Sequence, residues 1–141
     1  IVNMDPETME MREIKISENQ TTVRRLDIAD DGSIWFVNSG EGKLGRYSPS
    51  NDEVQQWDSP SGPQSHPYAI AIVDGVVWYN ESGVRPDMLV RFDPGSETFA
   101  SWPVPSGDVY AGIIRHMRPD RDGNLLIHQS ATNRIMRVET K

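Results

Sequence analysis

The dipeptide Asp-Gly stands at Asp31-Gly32, Asp74-Gly75 and Asp122-Gly123, 43 and then 48 residues apart, and an apolar run follows it each time. The runs are Ser33-Ile34-Trp35-Phe36, Val76-Val77-Trp78-Tyr79 and Asn124-Leu125-Leu126-Ile127. A short polar stretch then leads to a second run: Lys43-Leu44-Gly45-Arg46-Tyr47, Met88-Leu89-Val90-Arg91-Phe92 or Arg134-Ile135-Met136-Arg137-Val138. Proline turns come next at Ser48-Pro49 and Asp93-Pro94, with an earlier instance at Asp5-Pro6. Nine positions after the residue preceding each proline stands a large apolar residue, Ile14, Trp57 or Trp102.

A period of about 40 to 50 residues carrying four short strands is the mark of a β-propeller blade, whereas helical repeats show a 3.6-residue periodicity. Asp-Gly supplies the positive φ that a tight hairpin between the first two strands needs. Trp35 and Trp78 are expected to fill the space between blades. Leu126, a smaller residue, takes that position in the third copy and is expected to pack there more loosely. The fold class is therefore all-β: three four-stranded propeller blades at 21–58, 66–103 and 111–141, after a partial blade at 1–16. Known propellers use about four to eight blades, so three leave sheet faces to be covered. Either two copies associate head to tail into a six-bladed ring, the arrangement favoured here, or the blades belong to a longer chain.

Composition narrows the function classes. Of 141 residues, 36% are hydrophobic, enough for one domain with a core. Fourteen Lys and Arg stand against 21 Asp and Glu, a formal charge of −7 that makes nucleic acid a poor partner. The absence of cysteine removes disulfides, thiolate metal sites and cysteine nucleophiles, and leaves the compartment open. No window approaches 18 consecutive apolar residues, so no membrane span is expected. His-x-x-x-His, a phosphate-cradling glycine loop and Gly-x-Ser-x-Gly are all missing, which leaves zinc hydrolase, nucleotide and serine hydrolase readings without support.

The blade text Asp31-Gly32-Ser33-Ile34-Trp35-Phe36, Gly42-Lys43-Leu44-Gly45-Arg46 and Pro67-Tyr68-Ala69-Ile70, leading to Val77-Trp78-Tyr79-Asn80-Glu81, resembles the streptogramin lyase (virginiamycin B lyase) family. That family's repeat reads Pro, His or Tyr, Gly or Ala, Ile, a Gly-containing turn, Trp-Phe-Thr-Glu, a short loop and Lys-Ile-Gly-Arg. Its members look like seven-bladed single chains. The resemblance implies a metal-assisted carbon–oxygen lyase that opens a cyclic ester by elimination, with a His as general base and a Glu near a magnesium ion. The residue after Pro maps to Arg24, Tyr68 and Arg115, and the residue three after Trp maps to Asn38, Glu81 and Gln129. Glu81 alone keeps the carboxylate, and it is the expected magnesium ligand. No copy has His at the base position, although His66 lies two residues before Tyr68 and His116 directly follows Arg115.

In a propeller the opening of the first strand and the close of the second meet around the central funnel. The loops 39–42, 82–87 and 130–133, with the connections 59–67 and 105–113, belong to that face, where ligands bind on loops held by a rigid scaffold. The expected catalytic residues are Glu81, His116 and His128, since imidazole is the usual base near neutral pH. The expected binding residues are Arg24, Asn38, Tyr68, Arg115 and Gln129, with Arg25 adding charge suited to a carboxylate, phosphate or polarised carbonyl. The alternative is a propeller module without turnover that binds a small molecule or peptide in the funnel, or an assembly fragment.

Overall fold

A computed structural model describes residues 1–19, 21–106 and 111–141, and among them it is all-β. Strands β1 (Val2–Met4) and β2 (Met11–Glu13) form a hairpin. Strands β3 (Val23–Ile28), β4 (Ile34–Asn38), β5 (Lys43–Ser48) and β6 (Glu53–Asp58) follow as an antiparallel meander. A second meander repeats it in β7 (Pro67–Val73), β8 (Val76–Glu81), β9 (Met88–Asp93) and β10 (Thr98–Pro103). The third sheet holds β11 (Met117–Pro119), β12 (Leu125–Gln129) and β13 (Arg134–Val138). It has three strands where four were expected, because only Glu139, Thr140 and Lys141 follow β13 in this chain.

The Asp-Gly dipeptides make the turns between the first two strands of each sheet. At Asp74-Gly75 both residues have positive φ, 49° and 75°, and Val73 pairs directly with Val76, the two-residue turn that matches the twist of its flanking strands. The longer turns at Gly32 and Gly123 close with bonds from those amides to the Ala29 and Asp120 carbonyls, at 2.9 and 3.2 Å. The proline turns share a further feature: Met9, Asp52 and Glu97, each three residues after the proline, all adopt positive φ.

Because side chains alternate across each strand, a sheet can present an apolar face on either side, and the core is a series of layers between neighbouring sheets. The first joins Ile14 of the β1–β2 segment to Phe36 and Tyr47. The second joins Trp35, Val37 and Leu44 to Ile70, Val77, Tyr79, Val90 and Phe92. The third joins Trp78 and Leu89 to Met117, Leu125 and Ile127. Trp35 stacks on Trp57 with centroids 5.5 Å apart and meets Phe92 at 5.7 Å, as expected of a residue filling the gap between blades. Gly45 lies directly under the Phe36 ring, and a Cβ there would overlap it.

Leu126 departs from expectation. It shares the repeat position of Trp35 and Trp78, paired with Arg137 as they are with Arg46 and Arg91. Those tryptophans are 3% and 5% exposed, whereas Leu126 is 39% exposed. The cause is its place: it lies on the far side of the last sheet, which no further sheet of this chain covers. Ile135 on β13 is likewise bare, and at the other end so are Val2, Met4 and Met11.

Candidate functional site

The first strand of each complete sheet carries a bulge at the same point. Pairing of β3 with β4 slips between Val23 and Leu26, and pairing of β7 with β8 slips between Pro67 and Ile70. Arg24-Arg25 and Tyr68-Ala69 are the residues inside these slips, and a bulge re-aims the side chains it carries. In the third sheet the ladder begins only at Met117, leaving Arg115 and His116 ahead of it. Strands β3, β7 and β11 pack side by side, so these residues share one mouth.

Tyr68 is the centre of that mouth. The guanidinium carbons of Arg24, Arg25 and Arg115 lie 5.4, 5.5 and 6.0 Å from its ring centroid. Each such contact at an exposed site is worth about 0.5–1 kcal/mol, which offsets part of the repulsion among three like charges. Arg25 also donates from Nε to the Arg115 carbonyl at 3.4 Å, reaching across the second sheet to the third. None of the three forms an ion pair with a carboxylate among the described residues. Asp27 lines the small cavity behind Arg25 and Arg115, but its two oxygens accept the Ile28 and Ile72 amides at 3.0 and 2.9 Å.

His116 follows Arg115 and lines the same small cavity as Arg25 and Arg115, and its ring centroid lies 6.1 Å from that of His128 on the neighbouring strand. Nδ1 of His128 lies 3.3 Å from the His116 carbonyl oxygen. A carbonyl oxygen only accepts, so this contact selects the tautomer with hydrogen on Nδ1 and leaves Nε2 as the basic nitrogen. His66 lies two residues before Tyr68. It adopts positive φ, and its Nδ1 meets the Ser39 carbonyl at 3.2 Å, bracing one funnel loop against another.

The three residues closing the second strands are buried plugs. Glu81 is 0% exposed, and its two oxygens accept the Ser61 amide, at 3.1 Å, and the Ser61 hydroxyl. Asn38 donates to Glu41 at 2.6 Å and Gln56 at 3.0 Å and accepts from Thr21. Gln129 accepts from Thr132 at 3.0 Å. All three fasten the loop beside them, and sequence spacing carried no sign of Ser61 as the partner of Glu81.

Glu81, the carboxylate at the expected magnesium position, accepts a hydrogen bond from Ser61 on each of its oxygens. No group of three or more His, Asp or Glu side chains among the described residues is arranged to hold a metal.

Asp87, at the foot of the loop after β8, was not anticipated. Burial pushes its carboxyl up to about 6, against a smaller opposing pull from Arg85, whose Nη1 is 3.5 Å from Oδ1. Its Oδ2 is buried with no hydrogen-bond partner among the described residues. Of the connection 105–113, the part at 107–110 lies outside the described residues.

No family model and no curated protein matches this sequence. Solved structures do match. A catalytically inactive His-to-Ala variant of virginiamycin B lyase from Staphylococcus aureus, solved with quinupristin, superimposes with a TM-score of 0.85 over 99% of this chain and 45% of that one, at 20% identity. A streptogramin B lyase gives 0.85 over 99% of this chain and 44% of that one, at 19% identity. The extracellular domain of a protein assigned to a hybrid two-component system in B. thetaiotaomicron gives 0.66 over 91% and 16%, at 13% identity. The fold is a β-propeller, and the chain spans less than half the length of these structures.

Proposed function

We propose that this chain supplies part of the funnel of a propeller lyase that opens a cyclic ester by elimination. The observation that carries the reading is the His116–His128 pair, with Nε2 of His128 left basic, at the start of the sheet that Arg115 enters, Arg115 being one of three guanidiniums around Tyr68 with no carboxylate partner among the described residues. Nε2 removes the proton from the carbon next to a carbonyl. The C–H electron pair forms a carbon–carbon double bond, and the β carbon–oxygen bond breaks to release a carboxylate. A nearby guanidinium stabilises the negative charge that develops on the ester oxygens. No water is consumed.

That balance provides the test. A panel of cyclic depsipeptides and lactones is incubated with the protein and analysed by mass spectrometry. Elimination yields a linear unsaturated product of unchanged mass, whereas hydrolysis adds one water. His128→Gln is expected to lower the rate by about 100-fold or more. Turnover of no member, or products carrying an added water, removes the reading.

The engagement of Glu81 by Ser61 favours a second reading, a ligand-binding propeller without turnover. It is distinguished by saturable ligand binding with substrate recovered intact.

A further inference from the structure

We infer that the mouth around Tyr68 is a binding site for a phosphate group carried by a small ligand. The inference deepens the reading above and rests on that reading only in taking the mouth as the place where ligand binds. Three guanidiniums converge on one ring, at 5.4, 5.5 and 6.0 Å from its centroid, with no ion-paired carboxylate among the described residues. The guanidiniums of Arg24 and Arg115 make no hydrogen bond to any described residue, and all three arginines are exposed. Like charges gathered with no ion-paired carboxylate among the described residues repel one another, and this occurs in a chain whose net charge is −7.

The stoichiometry of charge selects the ligand. A carboxylate neutralises one guanidinium and offers two oxygens. A phosphate monoester carries about −1.5 to −2 near neutral pH and offers three acceptor oxygens, one for each guanidinium, in the planar fork geometry that arginine matches best. Tyr68 gathers the three guanidiniums around its ring; those of Arg24 and Arg115 donate to no described residue, and Arg25 donates from Nε and Nη1 to the Arg115 and Arg24 carbonyls, leaving Nη2 for the anion. The bulges make the site: without the slips at Arg24-Arg25 and Tyr68-Ala69, strand alternation would send neighbouring side chains to opposite faces.

The test uses the full chain and inorganic phosphate, followed by titration calorimetry and by the shift in melting temperature at constant ionic strength, with sodium acetate as the second arm. Saturable phosphate binding at least about tenfold tighter than acetate is expected. Arg115→Gln and Arg25→Gln are each expected to weaken it about tenfold or more, the loss of one charge-assisted contact. Arg121→Gln removes the same charge from the turn before Gly123 and is expected to change affinity less than twofold. Absence of saturable phosphate binding, equal response to acetate, or equal loss in Arg121→Gln overturns the inference. Its fate separates from that of the lyase. Phosphate binding with no ester turnover retires the lyase and sustains the site, and turnover of uncharged cyclic esters without phosphate binding does the reverse.

Discussion

Asp87 shows how a single side chain sets a pH dependence of stability. Its ordinary value is 3.8, and burial raises it in the folded protein to about 6. The native state therefore holds this proton more tightly than the unfolded chain does. Stability is expected to decline as pH rises from about 4 to about 6, and to be lowest with respect to this group above that window. The magnitude is on the order of 2 kcal/mol. Urea midpoints measured across that range in the wild type and in Asp87→Asn check it: the variant is more stable at pH 7 and lacks this slope. Glu81 teaches a related lesson. As the one carboxylate at the expected metal position it was the natural candidate in sequence, yet its partner, Ser61, sits 20 residues away in a loop with no motif. Residue type marked the position as special, and only packing showed with what the side chain is engaged.

At the scale of the sheet, one repeat position has different energetic weight in different copies. Trp78 is covered by the third sheet and stacks with Trp102 at 6.1 Å, so Trp78→Ala is expected to cost about 3–5 kcal/mol. Leu126 occupies the same position on an uncovered face, and Leu126→Ala is expected to cost less than about 1 kcal/mol. Equilibrium urea unfolding of the two variants decides this, and equal losses would show that the last sheet's outer face is covered in solution. The strands themselves were legible in sequence because turn chemistry and period-2 patterning are local. The bulges in β3 and β7 were not, since a slip in register depends on the partner strand.

At the scale of the whole chain, the described sheets expose apolar side chains at both ends of their series. Leu126 and Ile135 are 39% and 77% exposed at one, and Val2 and Met11 are 62% and 71% exposed at the other. Apolar faces of this kind drive association. Multi-angle light scattering of the isolated chain is expected to give a mass above 15.9 kDa that rises with concentration, and Leu126→Asp with Ile135→Lys is expected to lower it. A head-to-tail dimer is one proposal for covering both ends, and it brings a three-stranded sheet against a two-stranded hairpin. A dilution-independent mass of one chain would count against it.

The sequence by itself determined the repeat, the all-β class, the turns and the inner-face tryptophans. Each of these depends on local φ preferences and on alternation along one strand. Tertiary structure alone decided which copies of a repeat position are buried, which carboxylates are engaged, and that Arg24, Arg25 and Arg115 meet over Tyr68. These outcomes depend on how neighbouring sheets pack and where their ladders slip, relations between segments tens of residues apart that no single segment encodes.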